Sequence, residues 1–485
     1  MSSIASEERQ KKARMMGEGE IKKVLLTLAI PAIVAMLINA VYNLADTAFV
    51  GMLRDTSAIG AVSVSFPIFM IIGAIGQTFG VGAASYISRC LGEKNNEEAS
   101  RTAATAFFTA VGTGILCTII CLIFLKQILS ITGASETILP YAMDYSVILV
   151  LGSTITIVNM TLNNIIRAEG NSKFSMYALM IGAILNIVLD PIFILTLDMK
   201  VKGAAIATII GQGVSTIYLL SYFKRKKGVV SIDKKFFIPS KKIYSEIFKM
   251  GMPTFLMQFL ASFGMALLNS AAVVYGDAAV ASLGITVKIN TLITYVLFGY
   301  IQGFQPFVGY NYGAKNYDRV KKATKISLIW TTAYGVAAVL LLNISSGALV
   351  RAFSNDIEVI KLGVNNIRGF SLVLPFLGFQ LVFNGLFLGL GRGVEATIIS
   401  VARQGLFLIP AILILPNLFS NNINLANMVK FIFPNTMEPG LYGLMLTQPI
   451  ADLSAIIVAT ILAINFLKTF NRKNENQQNL DTEVS

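Results

Sequence analysis

The feature that most constrains this sequence is a succession of long apolar runs separated by short clusters of charge. Hydrophobic residues make up 55% of the 485 residues and charged residues 13%, about half the charged share of a soluble domain. A helix needs roughly 20 mostly apolar residues to cross a bilayer, and it bonds its own backbone polar groups internally. The alternating short segments of a transmembrane barrel are not visible. The chain is therefore predicted to be an all-α polytopic membrane protein.

The apolar runs predict twelve transmembrane helices, six on either side of a long basic stretch. The first six lie near 24–50, 59–86, 102–126, 140–165, 174–197 and 203–223. The second six lie near 246–275, 281–309, 324–345, 359–389, 394–419 and 439–467. A polar, basic segment precedes the first run, whose length favours an uncleaved helix over a signal peptide.

Positive charge is concentrated in the loops of one side, which include Arg167 and Lys173, and most of all in the stretch 224–245. The opposite loops hold fewer basic residues, namely Arg54, Lys126, Lys200, Lys202, Arg351, Lys361, Arg368 and Lys430. Since basic loops stay in the cytoplasm, both termini are predicted to be cytoplasmic, in a plasma (inner) membrane. The net charge of +13 then sets topology, and no nucleic-acid partner is expected.

The two halves of the chain repeat each other. Pro31 and Pro253 are 222 residues apart, whereas Gly92 and Gly313, Asn163 and Asn384, and Gly170 and Gly391 are each 221 apart. Each half has an even number of spans, so both enter the membrane in the same direction. This predicts two six-helix lobes related by a pseudo-twofold axis along the membrane normal, with substrate bound between them. The predicted divisions are 1–23 (N-terminal segment), 24–223 (first lobe), 224–245 (inter-lobe loop), 246–467 (second lobe) and 468–485 (polar tail).

Two intramembrane carboxylates break this symmetry. Asp46 lies in the first span and Asp190 in the fifth, and the repeat places Leu268 and Ala411 at the equivalent positions. A carboxylate inside a membrane helix costs on the order of 2.5–3.5 kcal/mol on insertion scales and by default marks an ion or proton site. The alternative is a residue that reaches headgroups or water, which applies most to Asp46 near the outer end of its span.

Oxygen-bearing side chains accompany the two acids. Asn186 is four residues before Asp190 and shares its helix face, Thr208 adds a hydroxyl from the sixth span, and Asn163 or Asn164 adds an amide from the fourth. Such a set suits a hard cation, while two neighbouring acids can also retain a proton. Both interpretations use the same residues, and the sequence leaves them open.

The second half is polar in a different way. Asp452 in the twelfth span has no acidic neighbour and is predicted to pair with a buried cation, Lys288 or Arg403. Pro31 removes a backbone hydrogen bond within the first span and is predicted to act as a hinge. Polar and adaptable Met or Phe side chains are predicted to line a substrate cavity: Asn43, Met36, Phe66, Met70, Met257, Gln258 and Gln302.

Enzyme signatures are absent from the sequence. There is no phosphate-binding Walker loop, no zinc motif and no nucleophile elbow, and the chain contains no histidine. The three cysteines form no framework of disulfides. The chain is not expected to be an enzyme or to hold a cofactor, and the energy for uphill transport is expected to come from an ion gradient.

At these residues the sequence resembles the multidrug and toxic compound extrusion family, over about 24–467. The motifs that carry the resemblance are Asp46-Thr47, Asn186-x-x-x-Asp190-Pro191, Gly203-Ala204-Ala205-x-x-Thr208, Gln305-Pro306, Tyr312-Gly313-Ala314-Lys315-Asn316 and Arg403-Gln404 before Pro410. The resemblance implies an antiporter that exchanges Na⁺ or H⁺ for organic, often cationic, compounds by alternating access. It also implies a cation site at Asp46, Asn186, Asp190 and Thr208, with Asn163 beside it.

Rival functions remain in view. A lipid-linked saccharide flippase of the same superfamily is the first alternative, although such proteins often have more spans and a strongly cationic cavity. An intramembrane enzyme lacks its motifs here, and an acidic site confined to one repeat argues against a continuous channel. The expected partners are small organic substrates and the lipid bilayer, and the protein is expected to be a monomer.

Overall fold

The computed structural model describes residues 13–53, 55–429 and 438–483. Residues 1–12 of the predicted N-terminal segment and 484–485 of the predicted tail lie outside the described residues, as do Arg54 and Lys430 of the predicted outer loops. Most of the described chain is helical.

The first half forms helices that follow the predicted spans, with a 3₁₀ turn at Lys234–Phe236 in the inter-lobe loop. They are α1 (Ile21–Gly51), α2 (Thr56–Gly92), α3 (Asn96–Ile131), α4 (Leu139–Leu151), α5 (Ser153–Ala168), α6 (Ser172–Pro191) and α7 (Lys200–Lys224). The second half forms α8 (Lys241–Val273), α9 (Asp277–Gly313), α10 (Tyr317–Arg351), α11 (Ile357–Ser371), α12 (Leu374–Leu390), α13 (Gly393–Val401), α14 (Ile409–Asn421), α15 (Ile423–Val429) and α16 (Pro439–Glu483).

Membrane-length helices confirm the prediction of a polytopic, all-α chain. Within the described residues, 10 helices are long and apolar enough to cross a membrane, and two bent pairs raise the number to as many as 12. The bent pairs are α4 with α5 and α11 with α12, each bent by 48°. They correspond to the fourth and tenth predicted spans, which the sequence reading treated as uninterrupted.

Local sequence explains both bends. Gly152 separates α4 from α5, and a Cβ atom there would lie 2.1 Å from Cδ1 of Ile209 on α7, so any larger residue would require Ile209 to move. Pro375 lies in the first turn of α12, where its missing N–H costs least. The residue before a proline also disfavours the helical conformation, which favours a break just ahead of α12.

Helix ends show that the repeat extends to backbone conformation. Lys94 and Lys315 both adopt a left-handed conformation with φ of 59°, and Gly170 and Gly391 share a φ of 79°. The N–H groups of Asn95 and Asn316 each donate to the carbonyl five residues earlier, at 2.8 Å in both cases. This is the six-residue bond of a Schellman cap. The residue pairs that revealed the repeat therefore terminate equivalent helices in the same way.

Two spans contain a π-helical segment, a form that often marks functional sites. In the fifth span Ile192–Thr196 follows Pro191 directly, and in the eleventh Ala402–Leu408 connects α13 to α14 ahead of Pro410. Both prolines disturb the regular ladder of helical hydrogen bonds. The first π segment begins two residues after Asp190, and the second contains Arg403.

The described chain divides into two compact units. The first contains the described chain up to Phe259 together with Gly299–Asn316 and Leu388–Gly393. Its core is built from α2, α3, α5 and their neighbours, where buried residues such as Ile72, Ala103 and Ile157 are almost fully enclosed. The second unit contains Leu260–Phe298, Tyr317–Phe387 and the described chain from Val394 onward, with a core around Leu283, Leu408 and Met445.

Candidate functional site

Close contact between α6 and α7 places polar side chains from the two helices next to each other. A Cβ atom on Gly182 would lie 2.9 Å from the carbonyl oxygen of Gly211, and one on Gly211 would lie 2.6 Å from that of Gly182. Small residues at such positions allow membrane helices to approach closely. Asn186 is one turn beyond Gly182 and Thr208 is one turn before Gly211, so the glycine contact brings Asn186 and Thr208 together.

Asp190, Asn186 and Thr208 form one connected polar group. With the Asn186 amide oriented to satisfy both of its ends, its Nδ2 donates to Asp190 Oδ2 at 2.9 Å. Its oxygen then accepts from Thr208 N at 3.0 Å and from Thr208 Oγ1 at 3.3 Å. Tyr42 Oη on α1 lies 3.4 Å from Thr208 Oγ1 and extends the group to a third helix. The structure thus brings together three of the predicted cation-site residues.

Asp46 completes the acidic part of the site. It lies on α1, which packs against α6, the helix that carries Asp190. Asp190 is 0% exposed, and the Oδ1 atoms of both acids are buried without a hydrogen-bond partner. Neither acid forms an ion pair with any residue in the described ranges. Buried acceptors of this kind are costly unless something positive or a proton satisfies them.

A cavity of about 140 Å³ lies beside this acidic group, within the first unit. It is comparable in size to an engineered cavity that holds a benzene molecule. Side chains of α1, α2, α5, α6 and α7 line it. The polar ones are Asn39, Tyr42, Gln77, Asn159, Asn163, Asn164, Arg167, Asn186, Thr208, Gln212 and Ser215. The apolar side chains among them are Ala35, Met36, Met160, Leu179 and Ala183.

Asn163 lines this cavity, but its oxygen is already engaged. Ser175 Oγ donates to Asn163 Oδ1, and Asn163 Nδ2 is buried without an acceptor. The free group of Asn163 is therefore a donor, which suits a negative ligand better than a cation. Thr208 and Asn186 line the same cavity, but Asn163 hydrogen-bonds to Ser175 and not to either of them.

Arg167 is a cavity residue that sequence reasoning missed. It was read as a loop residue that sets topology, whereas its side chain is 5% exposed and lines the cavity. Its Nη2 donates to Asn164 Oδ1 at 2.7 Å and its Nη1 to Ser175 Oγ at 3.3 Å. The available signal was the helical spacing of Asn163, Asn164 and Arg167, which places polar groups on one inward face of the fourth span.

The other predicted cavity residues are spread over several helices. Met36 lines the cavity described above, and Pro31 lies within the continuous α1. Asn43 is exposed and donates to Asn39 O at 2.8 Å, and Phe66 is 52% exposed. Met70 on α2, Met257 and Gln258 on α8, and Gln302 on α9 are half-buried.

In the second unit, Asp452 is neutralised by a neighbouring helix. Arg403 Nε donates to Asp452 Oδ1 at 2.6 Å, with the two side chains 12% and 5% exposed, and Gln448 Nε2 donates to the same oxygen at 2.9 Å. The prediction that a buried cation pairs with Asp452 is confirmed, with Arg403 as the partner. This carboxylate already has a fixed counter-charge.

Comparison with known proteins connects this arrangement to transporters. A family model described as MatE matches the chain twice, over residues 31–192 and 253–414. The two matches start 222 residues apart, which agrees with the repeat read from the sequence. The chain is 31% identical over 404 residues to the multidrug export protein MepA of Staphylococcus haemolyticus, covering 83% of this chain and 88% of that protein. It is also 31% identical over 399 residues to MepA of Staphylococcus aureus strain MSSA476, covering 82% and 88%.

Solved structures share the fold along nearly the whole chain. A multidrug resistance MATE transporter in an outward-facing conformation matches with a TM-score of 0.86 and 26% identity, covering 95% of this chain and 99% of that one. A MOP superfamily transporter from Pyrococcus furiosus, described as having a binding pocket of reverse polarity, matches with a TM-score of 0.85 and 27% identity over the same shares.

Proposed function

This chain belongs to the multidrug and toxic compound extrusion (MatE) family, and from that premise we propose that it exports amphipathic organic compounds in exchange for Na⁺ or H⁺. Asp46 and Asp190 bind the coupling cation, with Asn186 and Thr208 as their polar neighbours. The cavity beside them receives the substrate. The observation that carries this proposal is the pair of buried Oδ1 atoms without a partner, which contrasts with the buried carboxylate of Asp452 that Arg403 neutralises.

Competition for one patch of negative charge explains how exchange is coupled. With no cation bound, Asp46 and Asp190 repel each other in a medium that screens charge poorly. A proton or Na⁺ removes that cost, and so does the positive group of a substrate in the adjoining cavity. Tyr42, Asn186 and Thr208 line the cavity and also belong to the polar group that is bonded to Asp190. Substrate binding in the cavity therefore changes the affinity for the cation, and cation binding changes the affinity for the substrate. Such reciprocal coupling is what antiport requires.

Topology completes the proposal. The basic loops favour cytoplasmic termini in the plasma membrane. A cation gradient directed into the cell would then drive the exchanged substrate outward. The lobes are proposed to span 24–223 and 246–467, a division supported by one family match in each half. We further propose that the protein works as a monomer. The flippase alternative fits less well, because the cavity described above contains one basic residue, Arg167, among many neutral polar ones.

Dye efflux from proteoliposomes tests this function directly. A Na⁺ gradient and a pH gradient are imposed separately, which identifies the coupling ion. One of the two gradients should drive efflux, and Asp46→Asn and Asp190→Asn should each lower the initial rate at least about tenfold, equivalent to about 1.4 kcal/mol. Gradient-driven efflux at the normal rate in both variants would show that the coupling site lies elsewhere.

A further inference from the structure

Arg167 presents a charge that the proposed ion exchange does not use. The residue is 5% exposed, yet no carboxylate in the described ranges pairs with its guanidinium. Its two hydrogen bonds go to neutral oxygens, those of Asn164 and Ser175. A guanidinium has five donors in a planar fork that matches a carboxylate. This side chain therefore retains donor capacity at the wall of a cavity.

A second donor faces the same space. Asn163 lies one helical turn before Arg167 on α5, so both side chains project on the same side of the helix. Asn163 is 3% exposed, lines the cavity, and has an Nδ2 group without an acceptor. Ser175 fixes this orientation by donating to Asn163 Oδ1. A cation and a buried amide donor thus point to a ligand with two acceptor oxygens.

Asp190 is too far from Arg167 to serve as that ligand. Arg167 contacts Ser175 in the first turn of α6, and Asp190 lies 15 residues further along the same chain segment. At 1.5 Å per residue this is about 22 Å along the helix axis. The site therefore has a positive end at Arg167 and a negative end at Asp46 and Asp190, with the cavity between them.

The walls between the two ends favour an organic anion over an inorganic one. Met36, Met160 and Leu179 supply apolar surface to a cavity of about 140 Å³, which is enough for one aromatic ring. A chloride ion leaves most of that surface without contact. A benzoate-like group places its carboxylate on the donors and its ring against these side chains.

We propose that Arg167 and Asn163 form a carboxylate-binding subsite that lets this transporter accept organic acids and zwitterions whose carboxylate is carried on a ring-sized group. This inference rests on the proposed function for its export role, since it assigns a substrate class to the same cavity. The carboxylate lies against Arg167, and the cationic part of a zwitterion extends toward Tyr42 and Asn186. Substrates of this class gain the contact with Arg167 and Asn163, which simple organic cations lack.

A matched pair of dyes tests the subsite without any gradient. The probes are a rhodamine with a free carboxyphenyl group and its methyl ester, which differ only in the carboxylate. Binding to purified protein in detergent is measured by fluorescence anisotropy. Wild-type protein should bind the acid more tightly than the ester. Arg167→Gln should weaken binding of the acid at least tenfold while the ester changes less than twofold.

Two further variants separate binding from structural support. Asn163→Leu should weaken the acid severalfold and spare the ester, and Arg167→Lys should recover part of the acid binding because the charge remains without the fork. If Arg167→Gln does not fold, these two variants decide the question. Equal losses for acid and ester, or no loss for either, would overturn the subsite.

Transport of the ester keeps the two proposals distinguishable. In proteoliposomes, gradient-driven export of the ester by Arg167→Gln with no acid-selective loss in binding would reject the subsite and leave the antiport function intact. An acid-selective loss in binding, together with no gradient-driven export of either dye by wild-type protein, would reject the antiport function and leave the subsite intact.

Discussion

The two halves of this chain each bury a carboxylate inside a membrane-length helix, and the two carboxylates differ in whether a neighbouring side chain neutralises them. Asp452 is 3% exposed and accepts hydrogen bonds from Arg403 and Gln448. Asp190 is 0% exposed, is bonded through Oδ2 to Asn186, and has an Oδ1 without any partner. Burial alone therefore does not distinguish a structural acid from a functional one. We propose that the missing counter-charge does, because it leaves room for a cation that binds and dissociates.

A π-helical segment is associated with each of these two acids, in a different way. In the fifth span, the π segment Ile192–Thr196 starts just beyond Asp190. In the eleventh span, Arg403 lies inside the π segment Ala402–Leu408 and reaches Asp452 on α16. A π segment rotates the side chains that follow it relative to a regular helix. In the second half the π segment carries the arginine that pairs with Asp452. In the first half Asp190 has no ion-pair partner among the described residues.

The largest effect is expected from breaking the ion pair of the second half. Asp452→Leu leaves the Arg403 guanidinium buried without a partner, which should lower stability by about 3–5 kcal/mol. The double variant Arg403→Met/Asp452→Leu removes both charges and should recover most of the loss. Thermal unfolding of purified protein in detergent measures both. If the single and double variants unfold alike, the pair is not the structural contact described here.

Removing the Asp190 carboxylate in the first half should have the opposite effect on stability. Asp190→Asn deletes a buried charge that has no fixed partner, so in buffer without the coupling ion the variant should be as stable as wild type or more stable. Its gradient-driven efflux should nevertheless fall at least about tenfold. Thermal unfolding measured beside the transport assay checks both parts. A strongly destabilised Asp190→Asn would place Asp190 in the same structural class as Asp452.

The contact between α6 and α7 gives a smaller, steric test. Gly211→Val places bulk against the carbonyl of Gly182, only 2.6 Å from the new Cβ, and should cost about 1–3 kcal/mol. Because the helices must separate, Asn186 and Thr208 should also lose contact, and ion-coupled efflux should fall. Gly213→Val is the matched control, since a Cβ on Gly213 meets nothing within 4 Å. Equal effects of the two variants would show that the close contact of Gly211 with Gly182 is not what holds Asn186 and Thr208 together.

The smallest effect is expected at Thr208. Thr208→Ala removes one hydroxyl that contacts Asn186 and Tyr42 and leaves both carboxylates in place. Loss of one such hydrogen bond is worth about 0.5–1.5 kcal/mol, so the affinity for the coupling ion should fall severalfold while maximal efflux stays close to normal. Measuring the efflux rate as a function of ion concentration separates the affinity for the ion from the maximal rate. Thr208→Ser should behave like wild type.

Much of the fold is readable from the sequence because it depends on length and periodicity. Twelve apolar runs predict the membrane-length helices, and Gly170 and Gly391, one of the pairs that reveal the repeat, have the same φ in the structure. The bends at Gly152 and before Pro375 were missed, since the apolar runs continue through them. Hydropathy reports whether a segment is buried in lipid and does not report where it changes direction.

The site is readable only in part. Asp46, Asn186, Asp190 and Thr208 stand out because carboxylates and amides in apolar helices are costly, and the structure brings Asn186, Asp190 and Thr208 into contact. Arg167 was missed because an arginine near a helix end is normally explained by topology. Its burial depends on how α5 packs against α6, and that packing is a tertiary property that spacing alone does not reveal.

Binding of the coupling ion by purified protein tests the central claim most directly. Sodium binding is followed with radioactive Na⁺, and proton binding is followed as proton release on addition of a cationic dye, in wild type, in Asp46→Asn/Asp190→Asn and in Arg403→Met/Asp452→Leu. The account predicts saturable binding of one of these ions by the wild type and by the second-half variant, and its loss in the first-half variant. Undiminished ion binding by Asp46→Asn/Asp190→Asn would contradict the account.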